Sequence, residues 1–499
     1  MIRKLVEGLS VLNYLGSLLF IFGFLMMLPA LVHLIFPGPE ISVKIICAFV
    51  GPGLFLILSG LLLTRKLPTK VPDIQESMII TALAWLVVSV VSAVPIFFIL
   101  DHSFIDALFE ATSGITASGL TIFTGLDGLP PAILFWRSFM QWIGGIGILT
   151  FFLAVSFRGG NAAAILFSAE SHKIHSSRPV PGIFNTVKII WTIYGCMTIS
   201  AFFLLYFEGL TLFDALNHTL ALVSTGGFST HDASISYFSG FKHGILIEYT
   251  MIIFMLMGGT NFLLHYKVST GNWHALYQDF EMRLFWAIII GAVLIIGIDI
   301  YIAQGPKILS SWSIFHLHFR AALFQTVSVI TSTGYVTRSL NDPYYPALAK
   351  QVFLLLMFIG GCIGSTAGGF KVLRLGILWQ TLVSELKQLS LSPKAVIPLV
   401  IQKKIISQQE IKRICALLFA WIALIWVGTA LTLSCTNLNN CQALSGMLSA
   451  VSNMGPFFFS TSELAAFPAV VKVCYVFGML AGRLEVLPLF VLFARLTRR

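Results

Sequence analysis

Residues 106–119 have the sequence DALFEATSGITASG, and this pattern decides the fold because it occurs four times along the chain. Each copy places Ala-Leu twelve residues before a glycine, with Ser or Thr three residues before that glycine and Ile or Val four residues before it. The remaining copies are DALNHTLALVSTGG at 214–227, AALFQTVSVITSTG at 321–334 and QALSGMLSAVSNMG at 442–455. Since the glycines recur at intervals of roughly 110 residues, the chain contains an internal fourfold repeat.

The four copies lie between long apolar segments of a very hydrophobic chain. Of its 499 residues, 57% are apolar and 10% are charged, and the mean hydropathy is +0.90, whereas soluble domains carry about 25% charge. This composition excludes a water-soluble globular protein, a disordered chain, a disulfide scaffold and a nucleic-acid-binding domain. A membrane-spanning helix needs about 20 apolar residues, and we expect ten spans, at 9–36, 41–63, 77–100, 131–157, 183–207, 243–266, 283–303, 349–382, 411–434 and 468–494.

Positive charges collect in alternate loops between these spans. The net charge of +10 is therefore explained by cytoplasmic loops facing a lipid bilayer, and no nucleic acid is needed as a partner. The positive-inside rule places both termini in the cytoplasm. The residues assigned to that side are Arg3, Lys4, Arg65, Lys66, Lys70, Arg158, Lys173, Arg178, Lys267, Arg283, the stretch 387–413, Arg495, Arg498 and Arg499.

Each repeated loop contains a short helix that we expect to enter the membrane and turn back. About nine or ten residues precede the Ser or Thr, roughly 14 Å at 1.5 Å per residue, which is half of a hydrocarbon core of ~30 Å. A non-helical segment at that depth is tolerated only against protein or water. Because each repeat also holds two full crossings, the repeats are parallel and surround one axis.

The expected fold is therefore an all-α polytopic membrane protein with four parallel M1–P-loop–M2 repeats in a pseudo-fourfold arrangement around one pore. Two extra transmembrane helices precede the repeats. The corresponding division of the chain is an N-terminal two-helix extension at 1–70, repeat 1 at 71–180, repeat 2 at 181–280, repeat 3 at 281–405 and repeat 4 at 406–499.

The glycine that follows each short helix permits positive φ, which can turn successive carbonyl oxygens toward one side. Four such segments around an axis would form rings of carbonyls that replace the hydration shell of a cation, and the helix C-termini add partial negative charge. No carboxylate lies in the segments, which favours a monovalent ion, potassium more than sodium. Asp106 and Asp214, at the other ends of two of the helices, complement the positive ends of their dipoles. One Ser/Thr-x-x-Gly pattern alone would indicate an ordinary helix C-terminus, but four copies in register indicate a filter.

These loops and three further motifs resemble the TrkH/KtrB/HKT superfamily of potassium uptake proteins, in particular its TrkH/TrkG branch. The motifs are WIGGIG at 142–147, MGGTNF at 257–262 and GRLE at 482–485. The resemblance covers nearly the whole chain, including the leading pair of spans, which the shorter KtrB type lacks. It implies a homodimer with one pore per subunit, a cytoplasmic TrkA-type ring that binds nucleotides, and a bacterial inner (cytoplasmic) membrane.

The potassium-channel pattern places the filter at each repeated glycine and the two residues before it. These potassium-filter positions are Ala117, Ser118, Gly119, Thr225, Gly226, Gly227, Ser332, Thr333, Gly334, Asn453, Met454 and Gly455.

Span eight is interrupted by GGCIGSTAGG at 360–369, a stretch with five glycines in ten residues. Close helix packing through small residues would account for two of these glycines. A stretch this rich in glycine breaks the helix and leaves a segment that needs a water-lined cavity. The matching segment of TrkH-like proteins is an intramembrane loop that acts as a gate under the filter, here at about 360–371. The gate positions on it are Gly364, Gly368, Gly369 and Lys371.

Arg483 lies midway along the last predicted span. An arginine there costs at least ~2.5–3.5 kcal/mol if it faces lipid, so it should face the pore or pair with a carboxylate. Glu485 is too close in sequence to share its helical face. A buried ion pair and a positive charge in the cation path both account for the residue, and the resemblance implies the second, a pore arginine that contributes to the gate. Glu110 and Asp299 are expected to be structural hydrogen-bonding groups.

Two smaller features concern the N-terminus and the cysteines. The apolar stretch after Met1-Ile2-Arg3-Lys4 is too long for the core of a signal peptide, which predicts a retained first span. None of the seven cysteines forms a CxxC pair, so a zinc or redox site is not expected. Cys435 and Cys441 flank a polar loop, where they could pair in an oxidising compartment.

Three classes of function are compatible with a membrane protein of this kind, and the main prediction is a potassium-selective uptake pore gated from the cytoplasm. A symporter coupled to protons or sodium through the same path would need a titratable carboxylate near the binding site, for which Glu110 or Asp299 could serve. An intramembrane enzyme is disfavoured because the sequence has no HExxH, GxSxG or P-loop motif. No organic cofactor is expected, and nucleotide control would come from another chain.

Overall fold

The structure is a computed structural model that describes residues 2–36, 43–68, 70–147, 150, 183–306, 310–391, 398–402 and 404–497. Its helices are α1 (Ile2–Ile35), α2 (Val43–Lys66), α3 (Ile74–Ile99), α4 (Phe104–Ile115), α5 (Pro131–Ile146), α6 (Ile183–Phe207), α7 (Leu212–Val223), α8 (Gly244–Gly259), α9 (Phe262–Ser269), α10 (Phe280–Gln304), α11 (Trp312–Ile330), α12 (Ala347–Ile359), α13 (Val372–Gln388), α14 (Gln408–Cys435), α15 (Asn440–Ser452), α16 (Ala469–Arg483) and α17 (Leu487–Thr497). Helical turns at Leu126–Gly128, Ser234–Gly240, Ala275–Gln278 and Thr461–Ala465 and an antiparallel pair, β1 (Val400–Ile401) and β2 (Lys404–Ile405), complete the regular elements.

Among the described residues, six helices are long and apolar enough to cross a membrane, and all six coincide with predicted spans: α1, α2, α3, α6, α10 and α14. Large apolar side chains remain exposed along them, such as Phe55 at 70% and Ile302 at 73%. Only lipid can cover so much apolar surface, so the predicted all-α polytopic membrane fold is confirmed. The later part of predicted span four, with Arg158 and the basic loop beyond it, lies outside the described residues.

The sixth predicted span, 243–266, is not one helix, and this corrects the sequence prediction. Its two parts, α8 and α9, differ in direction by 104°. Helix α8 ends at the glycine pair Gly258-Gly259, where the helix is least stable. Asn261 then starts α9 by accepting a hydrogen bond from the amide of Leu263 at 2.9 Å, which is the usual role of asparagine at a helix N-terminus.

The last predicted span, 468–494, is broken as well. Helices α16 and α17 differ in direction by 114°, because Glu485 and Val486 take left-handed conformations with φ of 55° and 68°. Arg483 is therefore the last residue of α16 and does not lie midway along a continuous helix. In span eight, α12 ends at Ile359 and α13 begins at Val372, so the segment 360–371 is non-helical.

The short helices that carry the repeated pattern pack in a closed circle with the second spans of the repeats. Helix α5 packs against α7, α8 against α11, α12 against α15, and α16 against α4. Each contact joins the second span of one repeat to the pattern helix of a neighbouring repeat. The last contact joins the fourth repeat back to the first. The circle leaves a central axis surrounded by four equivalent helices.

The two N-terminal helices stand beside this circle. A Cβ on Gly60 of α2 would lie 2.5 Å from the carbonyl oxygen of Gly16 of α1, so the two backbones touch where they cross. The pair also packs against α3 and α5. Helices α14 and α15 are joined by a turn whose flanking residues Cys435 and Cys441 are free thiols.

Candidate ion pore

Each of the four pattern helices ends in a Schellman motif. At the end of α4, the amide of Ser118 donates to the carbonyl oxygen of Ser113 at 2.9 Å, and the amide of Ala117 donates to that of Gly114 at 3.0 Å. This pair of bonds defines the motif. The long bond recurs in the other copies as Gly226 to Ala221 at 2.8 Å, Thr333 to Ser328 at 2.9 Å and Met454 to Ser449 at 3.0 Å. The repeated sequence therefore ends four helices in the same way.

The backbone beyond these helices alternates between left-handed and ordinary conformations in all four copies. The first position is left-handed although it is never glycine, which costs roughly 1–2 kcal/mol per residue. These residues are Ala117 (φ 54°), Thr225 (φ 52°), Ser332 (φ 50°) and Asn453 (φ 51°). Two residues later the glycines also have positive φ, at Gly119 (78°), Gly227 (76°), Gly334 (84°) and Gly455 (102°). Such alternation turns successive carbonyls to one side, and strain at four equivalent positions is typical of a functional site.

The four glycine segments meet in a closed ring. Each repeated glycine lies against the neighbouring segment. A Cβ added to it would press on the carbonyl oxygen of the residue that precedes the repeated glycine of that segment. The pairs are Gly119 with Gly226, Gly227 with Thr333, Gly334 with Met454, and Gly455 with Ser118, the last at 3.1 Å. The side chain of Asn453 also donates to the hydroxyl of Ser118 at 2.6 Å, which fastens the fourth segment to the first. All twelve predicted filter positions are thus within or beside one ring.

The opposite ends of two pattern helices carry the predicted carboxylates. Ser103 caps α4 and accepts from the amide of Asp106 at 3.2 Å, and Thr211 caps α7 and accepts from the amide of Asp214 at 3.0 Å. Both carboxylates therefore lie at the positive end of a dipole whose negative end faces the ring.

The lengths of the pattern helices differ from the expected nine or ten residues. Helices α4 and α7 have 12 residues and α15 has 13, but α11 has 19. The expectation of a half-length helix is thus wrong for the third copy. Helix α11 begins well before the repeated pattern, at Trp312, because no glycine, proline, asparagine or aspartate lies between Trp312 and Ala321.

Cavities lie on both sides of the ring. The outer cavity, of about 360 Å³, is lined by all four filter glycines and by the loops that follow them. The inner cavity, of about 130 Å³, is lined by Asn453 of the fourth segment and by the predicted gate residues Gly364, Gly368, Gly369, Lys371 and Arg483. The predicted filter and gate therefore follow one another along the axis.

The non-helical segment 360–371 docks on the break between α8 and α9. The amides of Cys362 and Thr366 donate to the carbonyl oxygens of Gly259 at 3.0 Å and Gly258 at 3.2 Å. These are carbonyls that a continuous helix would have used internally. The non-helical segment and the break between α8 and α9 therefore supply hydrogen-bond partners for each other's backbone groups.

The same segment also touches the ring of glycine segments. The hydroxyls of Thr366 and Thr225 are 3.1 Å apart, and the amide of Gly368 donates to the hydroxyl of Ser332 at 2.5 Å. The segment is thus held directly against the second and third glycine segments.

Arg483 occupies the place that glycine takes in other repeats. Gly144, Gly258 and Gly482 are equivalent residues of three repeats. A Cβ on each would meet the carbonyl oxygen of the residue that lies four positions before a repeated glycine, namely Ile115, Val223 and Val451. The residue that follows is Gly145 in the first repeat, Gly259 in the second and Arg483 in the fourth.

The guanidinium of Arg483 is held by backbone carbonyls. It donates to the carbonyl oxygen of Thr366 at 3.1 Å and to those of Gly144 and Gly145. The nearby carboxylate of Glu485 instead pairs with Arg374 of α13 at 2.5 Å. The positive charge therefore lies at the wall of the inner cavity, between the first repeat and the non-helical segment.

The two carboxylates that were expected to be structural hydrogen-bonding groups do make structural contacts. Glu110 is fully buried and pairs with Arg137 at 2.7 Å, and it also accepts from the hydroxyl of Thr121 at 2.9 Å. Asp299 accepts from the amide of Ala349 at 2.8 Å. Arg137 was not predicted as the partner of Glu110, although a charge within the apolar segment 131–157 itself indicates a buried pair.

A histidine in the loop after the second glycine segment links the first two repeats, and it was not predicted from the sequence. The ring of His231 contacts the carboxylates of Asp127 and, at 3.3 Å, Asp214, and it stacks on Tyr237 with centroids 3.6 Å apart. Burial lowers the pKa of His231, but hydrogen bonds to the two carboxylates outweigh that effect, so the pKa is raised above its usual value. Nothing local in the sequence indicates this contact, because Asp127 is far away along the chain.

Comparison with known proteins gives a consistent result over nearly the full length. A family model described as TrkH, cation transport protein, matches residues 49–498. The Trk system potassium uptake protein TrkH of Vibrio parahaemolyticus is 32% identical over 97% of this chain and 98% of its own length. An uncharacterized cation transporter of Methanocaldococcus jannaschii is 32% identical over 99% and 96% of the two chains. The crystal structure of the potassium transporter TrkH from Vibrio parahaemolyticus superposes with a TM-score of 0.83 at 29% identity, covering 98% of this chain and 99% of that one.

Proposed function

The chain belongs to the TrkH family of cation transport proteins, and from that premise we propose that it mediates potassium uptake across a membrane. The observation that carries the proposal is the closed ring of four strained glycine segments, each preceded by a helix C-terminus. Carbonyl rings of this kind replace the hydration shell of a monovalent cation. The ion bound there is the transported substrate, and the proposed filter positions are the twelve residues of the ring.

The proposed gate consists of the segment 360–371 and Arg483. Both line the inner cavity directly below the ring, and Arg483 brings a full positive charge to its wall. Opening would require the segment to leave the carbonyls of Gly258 and Gly259, where its amides now donate. This exchange is inexpensive where the freed groups face a water-filled cavity.

A coupled symporter receives less support from the contacts of the carboxylates. Glu110 is committed to Arg137, and Asp299 to the amide of Ala349. The filter segments themselves contain no carboxylate. A proton-coupled mechanism would need a titratable group at the binding site, so we favour an uncoupled, gated pathway.

The proposed assembly follows the family. It is a homodimer with one pore per subunit, bound on its cytoplasmic face to a TrkA-type ring that binds nucleotides. The proposed location is a bacterial inner membrane with both termini in the cytoplasm. The basic side of the chain supports this orientation. Co-purification with a TrkA-type partner, with and without nucleotide, would test the assembly separately from transport.

Flux into liposomes tests the proposed function directly. Purified protein should give rubidium uptake that potassium inhibits and that sodium and lithium leave largely unchanged. Uptake should respond to an imposed membrane potential and not to a pH gradient alone. Equal competition by sodium would overturn the filter proposal, and uptake driven by a pH gradient at zero potential would restore the symporter.

A further inference from the structure

The side chain of Gln141 contacts the backbone of the second filter segment at two points. Gln141 lies on α5 and is fully buried. Its Nε2 donates to the carbonyl oxygen of Gly226 at 2.7 Å, and its Oε1 accepts from the amide of Phe228 at 3.0 Å. The two bonds bracket Gly227, the repeated glycine of that copy.

The second filter segment differs from the others in a way that calls for such a contact. The residue before its repeated glycine is Gly226, whereas the equivalent residues are Ser118, Thr333 and Met454. A Cβ on Gly226 would strike the amide group of Gln141. The glutamine therefore fills the space that a filter side chain would occupy, and it comes from the neighbouring repeat.

Two adjacent glycines have more backbone freedom than any other pair of residues. Without an external contact, the peptide groups around Gly226 and Gly227 could rotate and displace their carbonyls. The carbonyl oxygen of Gly226 is also the group that lies against Gly119 in the ring. Its orientation thus affects both the second segment and its contact with the first.

We propose that Gln141 is a positioning residue for ion selectivity, which acts by fixing the peptide groups of Gly226 and Phe228 from behind the filter. This inference rests on the proposed function, since it assumes that the ring selects potassium. The selectivity of a carbonyl ring depends on the number and arrangement of its oxygens. Losing the two bonds should let the second segment adapt to a smaller ion, so sodium would compete better.

The test compares Gln141→Met with the parent protein in liposomes. Methionine keeps the length and the approximate volume of the side chain but makes neither hydrogen bond. The ratio of potassium to sodium flux should fall roughly fivefold or more, which corresponds to about 1 kcal/mol at 1.36 kcal/mol per decade. A matched control is Gln325→Met, because Gln325 is also fully buried on a pattern helix but has no hydrogen-bond partner for either side-chain atom within the described residues. The flux ratio of that control should remain that of the parent.

A second readout avoids reliance on transport rates. Potassium should raise the thermal unfolding temperature of the detergent-solubilised parent more than sodium does at equal concentration, because only a bound ion stabilises the fold. In Gln141→Met the difference between the two ions should shrink. A residue with only a structural role would lower both unfolding temperatures equally and leave their difference unchanged.

The outcomes separate this inference from the proposed function. If the parent itself does not prefer potassium, the proposed function fails and the inference falls with it. If the parent is selective and folded Gln141→Met keeps both the flux ratio and the ion-dependent difference, the inference alone is wrong. An equal loss of selectivity in Gln325→Met would also overturn it. Should Gln141→Met fail to fold, the ratio of potassium to sodium flux is measured in Gln141→Glu, which keeps the acceptor for Phe228. A ratio equal to that of the parent would overturn the inference.

Discussion

The guanidinium of Arg483 donates a hydrogen bond to the carbonyl oxygen of Thr366 at 3.1 Å, which joins the end of α16 to the segment 360–371. The hydroxyl of Thr366 in turn lies 3.1 Å from that of Thr225 in the proposed filter. The arginine, the segment and the filter are therefore linked through two consecutive contacts. Displacement of the segment must break at least one of them.

Arg483→Ala should increase potassium flux per folded molecule by about tenfold or more. A potassium ion 4 Å from the guanidinium is repelled by roughly 4 kcal/mol at an effective dielectric constant of 20, and half of that exceeds one decade in rate. Liposome flux with matched amounts of folded protein measures the change. Arg483→Lys is the control, because it keeps the charge and should keep the low flux. A fall in flux in the alanine variant would exclude the barrier role.

Deleting residues 361–367 should raise flux while leaving the preference for potassium intact. The deletion removes residues that line the inner cavity, but it leaves all four glycine segments in place. Because Arg483 and Thr366 share a hydrogen bond, the deletion and Arg483→Ala should together increase flux by less than the product of their separate effects. A folded deletion variant with no more flux than the parent would show that the segment is not the gate.

Gly119→Ser should increase sodium flux relative to potassium flux. Gly119 has a φ of 78°, and its added Cβ would press on the carbonyl oxygen of Gly226, so the ring must widen. Gly125→Ser is a matched control: Gly125 has a φ of 73° but meets no atom within 4 Å, so it carries the backbone strain without the contact. The control should reduce stability slightly and leave the flux ratio unchanged. Equal ratios in both variants would contradict the filter assignment.

Arg137→Met should destabilise the protein by about 3–5 kcal/mol, since it leaves the buried carboxylate of Glu110 without its partner. Thermal unfolding in detergent would measure the loss. The double variant Arg137→Met with Glu110→Gln should recover about half of it or more, because the unpaired charge is gone. A double variant no more stable than the single one would mean that packing, not charge, holds this site together.

The contacts of His231 should stabilise the loops outside the membrane more at acidic than at basic pH. Its pKa is raised in the folded protein, so the stabilisation is fully present below the unfolded value near 6.5 and is lost as the pH rises through the folded value. His231→Gln keeps a hydrogen-bond donor but cannot titrate. The difference in unfolding temperature between the parent and this variant should shrink from about pH 5.5 to about pH 9. A constant difference would show that His231 does not gain a proton on folding.

The repeated pattern was sufficient to predict the four glycine segments and their common environment. Agreement among four copies in register makes a chance match improbable. Every copy has the same helix end and the same signs of φ in the structure. The six long spans were equally predictable, because apolar length alone determines whether a helix can cross a membrane.

The breaks at 260–261 and 484–486 were not predicted, because their causes are not local. In the sequence, Gly258-Gly259 looks like a pair of ordinary close-packing glycines. The helix breaks there because the amides of Cys362 and Thr366 donate to the freed carbonyls. Val486 is β-branched and is left-handed only because the tertiary structure requires it. Gln141 and Arg137 were missed for a related reason, since each acts on a residue of a different helix or repeat.

The hydrogen bond between Asn453 and Ser118 joins residues 335 positions apart, and this has a consequence for how the protein is made. At 5–20 residues per second, the ribosome needs on the order of tens of seconds to supply the second partner after the first. Throughout that interval the first three glycine segments lack the fourth, so the enclosure that the four segments form is incomplete. The nascent chain must protect those exposed backbone groups by some other means, and no shortened product that ends before the last pattern can ever complete the enclosure. The order of synthesis thus makes the C-terminal helices the ones that decide whether a newly made chain closes its ring of glycine segments.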